Sequence, residues 1–374
     1  MSAGPSPNLL AGGTAPQGGL FPRVRALFRR HPVLFLLLLA PQVEYLTGSS
    51  QLYLLVASPL VFLFFLLQNL GSYGLAVLLI REAKVRWKLG WASVLLLGAA
   101  YGLLNEGIGA ATLFNPHEMV FGGPMGYGRW LGINWVTAVE LIVFVHPLFS
   151  VSLPLMEFDL AFPTLRGKTL ITLPWTRGAL VLLAVDGLGT MVLVSAFLRH
   201  YWVSPFLLVA CGALMGSLVL AARWAPPHWL RPPLSTPTAP PWAFFVLGAG
   251  LFWGISFGSG VLINLVNVPW VVVASIVGMA GLALYWVVHH VGRTNHELHL
   301  LALAVGSVFV ALAPQGFFGQ LFSGPGMVPV VAYDLVIALF FTHLYLTHRD
   351  RGHRPSTFPR EGGRDLGPER SPLT

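Results

Sequence analysis

The sequence predicts an all-α integral membrane protein, a bundle of about ten transmembrane helices with the N and C termini cytoplasmic. Three observations carry this. Apolar runs recur along nearly the whole chain. Charged residues make up only 10% of the 374, with a mean hydropathy of +0.71, whereas soluble domains carry about 25%. Basic residues fall in alternate loops, as expected when cytoplasmic loops collect Lys and Arg. Lipid is the main solvent of such a chain.

Residues 1–22 are mostly Gly, Pro, Ala and Ser and read as a disordered tail. Residues 23–222 hold the first membrane half, spans 1 to 6. Arg23, Arg25, Arg29 and Arg30 precede span 1, HPVLFLLLLAPQVEYLTG. Basic residues before a short apolar core also fit a signal peptide, but no small-x-small cleavage site follows, and Pro41 and Glu44 stand where cleavage would fall. Span 2, about Tyr53 to Ile80, is too long for the ~30 Å hydrocarbon core, so it must tilt or break near Gly71 within QNLGSYG. Span 3 covers about Gly90 to Phe114, and span 4 about Trp135 to Phe162. Span 5 covers about Gly178 to Leu198, and span 6 about Pro205 to Ala222.

Residues 223–241 hold seven prolines and read as a stiff cytoplasmic linker. Residues 242–346 form the second half. Span 7 is the glycine-rich Trp242 to Leu265, and span 8 is about Trp270 to Val288. Span 9 is a short Leu300 to Ala313, and span 10 is about Met327 to Leu346. Residues 347–374 are a charged, disordered tail. Basic residues fall before span 1 and after spans 2, 4, 6, 8 and 10, while the opposite loops hold only Arg129 and Arg199. Trp130, Trp135, Tyr201, Trp202 and Trp270 mark the outer interface. A multi-pass protein of the plasma membrane follows, with the bilayer as its obligatory partner.

The same features exclude other classes. Cys211 is the single cysteine, so no disulfide framework forms within the chain. The net charge of +8 is accounted for by topology, not by nucleic acid. The cytoplasmic parts are too small for an ATPase domain. No phosphate loop or dinucleotide fingerprint is present. Gly254, Ser256 and Gly258 spell G-x-S-x-G, but a nucleophile elbow needs a strand before the serine, and this string lies in an apolar span.

What remains is a set of ionisable residues inside spans, which cost ~2.5–3.5 kcal/mol each on insertion scales when charged. Glu44, Glu106, Glu140 and His146 fall in the outer halves or middles of spans 1, 3 and 4, and Asp186 near the middle of span 5. Their functional reading is one outward-facing polar cavity. Their plain reading is a set of separate interfacial residues, each bonded to a neighbouring helix. Glu140 and His146 are six residues apart, so about 120° apart on a regular helix, unless Pro147 distorts it. Two carboxylates and a histidine suit a divalent metal such as zinc, which makes Glu106, Glu140 and His146 the metal candidates. His296 and His299 in HHVGRTNHELH share a helix face, one residue short of the HExxH spacing.

Glu106 and His146 on consecutive spans resemble the pattern of CAAX-processing and bacteriocin-processing intramembrane proteases, in which a Glu-Glu-x-x-x-Arg span precedes a Phe-x-x-x-His span. Here Asn105 stands in place of the first glutamate, no arginine follows Glu106 within the motif, and Phe144 is two before His146. The resemblance implies catalytic roles, with Glu106 activating water and His146 ligating metal. The chain also looks like uncharacterised prokaryotic polytopic membrane proteins with an early acidic span and a Phe-Asn-Pro loop, here Phe114, Asn115 and Pro116.

Ten spans also divide into five and five, as in secondary transporters built from inverted repeats. QNLGSYG in span 2 and GISFGSG in span 7 then correspond, as do Asp186 and Asp334 in spans 5 and 10. Within span 7, LFWGISFGSG faintly resembles the WGSSF pattern of ten-span drug/metabolite transporters. Three functions stay open. The first is a proton- or cation-coupled secondary transporter or permease for a small molecule or ion, binding it through Glu44, Glu106, Glu140, Asp186 and Asp334. The others are a membrane-embedded metal hydrolase and a non-catalytic scaffold.

Overall fold

The computed structural model describes residues 26–118, 123–231, 239–291, 296–314 and 327–352. The tail over 1–22, Arg23 and Arg25, residues 232–238 of the linker, and the chain beyond 352 lie outside the described residues. Among the described residues, eight helices are long and apolar enough to cross a membrane, and two apolar helices are shorter. The long ones are α2 (Pro59–Arg86), α3 (Trp91–Gly109), α4 (Trp135–Ala161), α5 (Leu173–Leu198), α6 (Pro205–Trp224), α7 (Pro241–Val266), α8 (Pro269–His290) and the membrane part of α10, Val328–His348. The shorter ones, α1 (Pro32–Thr47) and α9 (Glu297–Leu312), fall on spans 1 and 9.

The helix starts are written in the sequence. Proline stands at the first positions of α2, α5, α6, α7 and α8, where its missing N–H costs nothing. α2 begins at Pro59 instead of Tyr53, because Ser58 leaves the helical region ahead of the proline, at φ −154° and ψ 78°. It stays continuous through the expected break near Gly71, absorbing it as a wider π-type turn over Leu70–Gly74. Span 3 ends early, at Gly109, where the chain turns; Ala111 then takes a left-handed φ of 57°.

Contacts place the helix ends in two layers. Lys84 near the end of α2 pairs with Asp159 near the end of α4. Arg166, just past α4, pairs with Glu297 at the start of α9. Arg223 near the end of α6 lies over the Trp87 ring, just past α2. His348 near the end of α10 bonds the Leu160 carbonyl of α4. This layer is the charged end. At the opposite end, Arg129–Trp130 (β1) and Ile133–Asn134 (β2) pair antiparallel. Leu131 and Gly132, both with positive φ, close them in a tight hairpin turn. Trp270, starting α8, meets Trp130 and Trp135 there, and Arg199, just past α5, pairs with Glu118. This is the hairpin end.

The core runs through α1 to α4 and on into α7 to α10. α3 and α4 are the most enclosed of the long helices, whereas α5, α6, α8 and α10 turn most of their apolar surface outward, as lipid solvation permits. On α5 alone, Leu180, Val181, Leu182, Val185 and Leu188 are exposed. In the second half α7 and α9 approach with almost no separation. A Cβ on Gly248 would stand 2.2 Å from the Leu303 carbonyl oxygen, and one on Gly306 2.1 Å from that of Phe245. Small residues at such crossings let backbones touch.

The charged end is more than a topological marker. Arg81, placed after span 2 by the sequence reading, is inside α2 and buried. It donates to the carbonyls of Leu165 (2.6 Å) and Lys168 (3.0 Å) and lies over the Phe158 ring. The fully buried Glu82 accepts from the Leu170 N–H (2.6 Å) and from Arg86 (2.9 Å). These bonds tie the loop after α4 to the end of α2.

Candidate functional site

The polar site is built where helices widen. A π-type turn holds one extra residue and re-aims the side chains around it, and such turns recur at functional sites. α2 widens over Leu70–Gly74, α3 over Leu103–Gly109 and α4 over Glu140–Ser152, around the internal Pro147. These stretches carry Ser72 and Tyr73, Asn105 and Glu106, and Glu140 and His146. Four helices contribute to one chain of hydrogen bonds. The Tyr73 hydroxyl of α2 donates to Glu44 Oε1 of α1 at 2.7 Å. The Asn105 amide of α3 donates to the Tyr73 oxygen at 3.1 Å and to Glu106 Oε1 at 3.2 Å. His146 Nε2 of α4 meets the same Glu106 oxygen at 3.1 Å.

Aromatic rings and glycines fix this geometry. The imidazole lies near-parallel to the Tyr73 ring and edge-on to Tyr101, at 6.2 and 5.4 Å. α4 comes close to α3 because Gly98 faces the Pro147 backbone and Gly102 faces the His146 side chain; a Cβ would stand 2.7 Å from Pro147 Cα and 3.1 Å from the imidazole. His146 is only 2% exposed and Glu106 14%. An ionised Glu106 can only accept, so His146 carries its hydrogen on Nε2 in that state. Its buried Nδ1 then has no protein partner.

Asp186 of α5 reaches the far side of the same region. A Cβ on Gly71 would stand 2.6 Å from its Oδ1, so a larger residue there would push the Asp186 carboxyl aside. Asp186, Ser72, Tyr101, Asn105 and Thr190 line a narrow cleft of about 10 Å³. One water needs ~10–15 Å³ and small-molecule pockets run ~300–1,000 Å³, so this cleft has room for about one water or a small ion, not for a metabolite.

Not every candidate joins. Glu140 accepts from the Ser256 hydroxyl of α7 at 2.7 Å, both buried, and so links the two halves away from His146. The six-residue offset that separates Glu140 from His146 on a regular helix is kept apart by the widened one as well. The three metal candidates are therefore not assembled: only Glu106 and His146 meet, and no three His, Cys, Asp or Glu side chains among the described residues form a metal-holding group. Asp334 is half-buried on α10 and takes no part in these contacts. Ser256 sits in the π-type turn Trp253–Phe257 of α7 with helix before it, so G-x-S-x-G is not an elbow here. His299 stacks on Phe244 at 4.5 Å; the His296 side chain lies outside the described residues.

Sequence reasoning did not single out Tyr73 or Asn105 as site residues, and it named Ser256 only in a G-x-S-x-G string that it set aside. Tyr73 and Ser256 lie in the two strings read as helix interruptions, and Asn105 was noted only as a departure from a motif. At the hairpin end, buried Asn134 donates to the carbonyls of Thr112 (3.0 Å) and Asn115 (2.8 Å), and Arg129 to that of Phe114 (2.6 Å), so the Phe-Asn-Pro loop is held over the end of α3. Burial raises the Glu118 carboxyl above its ordinary value, and the Arg199 guanidinium pulls against that.

A family model described as an uncharacterized membrane protein family matches residues 33–229. The match runs from α1 through α6 and contains Glu44, Tyr73, Asn105, Glu106, Glu140, His146 and Asp186. No curated protein and no solved structure matches the chain.

Proposed function

The chain belongs to this uncharacterised membrane protein family, and we propose that it is a proton- or cation-coupled permease whose carrier site is the Glu106–His146 pair. The observation that carries the reading is the continuous chain Glu44–Tyr73–Asn105–Glu106–His146 beside the Asp186 cleft. Ionisable side chains at membrane depth line ion pathways and proton relays. Glu106 is the group that takes and releases the proton or cation. His146 shares its charge, and Tyr73 and Asn105 position both carboxylates. Asp186 receives the ion on the cleft side. The clustering of Arg81, Lys84, Arg86, Arg166 and Lys168 at one end supports placing that end, and both termini, in the cytoplasm of a cell whose plasma membrane holds the protein.

A membrane-embedded metal hydrolase is the second reading. In its favour, the expected water-activating group and one expected ligand touch. Against it, Glu140 bonds to Ser256. The test is flux in proteoliposomes loaded with a pH-sensitive dye and challenged with ion gradients and small organic solutes. A gradient-driven pH change that drops at least tenfold in Glu106→Gln and in Asp186→Asn, with both variants folded, is the expected result. Flux that survives both substitutions together sinks the permease. A transition metal bound one-to-one to the purified protein, and lost in Glu106→Gln and His146→Ala, puts the hydrolase first.

A further inference from the structure

We propose that Glu157 and Gln42 form a second proton-exchange site, distinct from the Glu106–His146 pair and joined to it through α1. Glu157 of α4 and Gln42 of α1 are both fully buried. The Gln42 amide donates to Glu157 Oε2. The second carboxylate oxygen, Glu157 Oε1, and the Gln42 carbonyl oxygen, Oε1, are buried with no partner. A carboxyl group with one amide donor on one oxygen and none on the other is under-supported as a permanent anion, since buried charges need pairing. The guanidinium that meets the next residue along α4 is already engaged: Arg81 lies over the ring of Phe158 and donates to two carbonyls. The lone Oε1 is where a proton adds, and protonated it donates to the Gln42 carbonyl, whose acceptor is otherwise unused. Only an O–H bond forms or breaks, and water at the charged end supplies or takes the proton.

Position gives this site its role. Glu157 lies in the last turns of α4, near the charged end, whereas His146 lies eleven residues earlier on the same helix, about 16 Å at 1.5 Å per residue. Two features span the gap. α1 carries Gln42 and, two residues on, Glu44, the first member of the other hydrogen-bonded chain. On α4, Ser150 and Ser152 lie between His146 and Glu157, and their hydroxyls, like His146 Nδ1, are buried without a partner. Tyr333 of α10 lies within electrostatic reach of Glu157, while Arg81 of α2 and His348 of α10 contact its chain neighbours Phe158 and Leu160. None of them donates to the free oxygen. The transfer of protons between the two sites rests on the permease reading; the proton-exchange site itself does not.

The test is infrared difference spectroscopy of the full chain in lipid nanodiscs, between acid and alkaline buffer. One carboxylic C=O band should vanish in Glu157→Gln. The same band should move to higher frequency in Gln42→Leu, which removes the amide donor, and should remain in Glu106→Gln. A hydrophobic carbodiimide should form an adduct on the Glu157 peptide of the wild type, lost in alkaline buffer. Superimposable spectra for wild type and a folded Glu157→Gln, or no adduct, overturn the proposal. If Glu157→Gln does not fold, the Gln42→Leu shift and the wild-type adduct decide. Loss of flux in Glu106→Gln with a silent Glu157 overturns only this inference; a Glu157 band with no flux overturns only the permease.

Discussion

His146 Nε2 stands 3.1 Å from Glu106 Oε1 across the α3–α4 interface, and two glycines make the contact possible. Gly98 admits the backbone of Pro147 and Gly102 admits the imidazole, one helical turn apart on α3. The widened turns on both helices aim the side chains, and the glycines set how close the helices come.

Gly102→Ala should therefore act on the pair without substituting either member. Its Cβ would meet Ile142 at 2.9 Å and the His146 side chain at 3.1 Å. Overpacking of this kind costs ~1–3 kcal/mol, and the imidazole must retreat from Glu106. Thermal unfolding in detergent should show the loss, and proteoliposome flux should fall in proportion to the broken contact. An alanine variant with wild-type stability and wild-type flux would mean that α4 does not need its close approach.

Glu82 should be among the most sensitive acidic positions for stability. Glu82→Ala strips a buried partner from the Leu170 N–H and from Arg86, and removes the carboxylate 3.6 Å from buried Arg81. Removing one side of a buried ion pair costs ~3–5 kcal/mol. Glu82→Gln keeps an acceptor for Leu170 and should cost clearly less. Equal unfolding temperatures for the two variants would assign the effect to charge alone.

Glu118 gives the hairpin end a sense of pH. Its carboxyl is raised above the ordinary 4.5, burial outweighing the pull of Arg199. The folded protein thus holds this proton more tightly than the unfolded chain does. The contribution to stability is complete below the ordinary value and is lost as pH rises through the raised one. Unfolding midpoints across that window should fall with pH in the wild type and flatten in Glu118→Gln. Arg199→Gln, which removes the lowering partner, should extend the window upward. An identical slope in wild type and Glu118→Gln would contradict the assignment.

Much of the architecture was legible because lipid forces it. Apolar runs mark helices wherever a backbone must satisfy itself, and proline marks where they begin. The site was legible only in part. Glu106 and His146 stand out as ionisable residues in apolar runs, and their meeting was expected from a shared polar cavity, from their chemistry as metal ligands, and from a motif that the chain matches incompletely. Tyr73 and Asn105 carry no such contrast, since neither is charged, and a widened turn inside a continuous helix reads in sequence as a break. Glu82 and Glu157 were missed for another reason. Glu82 stands among the basic residues that follow span 2, and Glu157 lies in the last turns of span 4, so neither stood out as a mid-span group, whereas packing of α1, α4 and the loop after α4 buries both. Glu140 was grouped with its neighbours by chain position, and helix rotation sends it to Ser256.

The contact of Gly248 and Gly306 with opposing carbonyls has a mechanical consequence. Two helices whose backbones interlock at two points cannot slide or roll past each other without a main-chain collision. α7 and α9 must travel as a single plank in any conformational cycle. Because Ser256 of α7 holds Glu140 of α4, that plank has a handle on the helix that carries His146. A tilt of the second half would pull on the carrier pair through one hydroxyl–carboxylate bond.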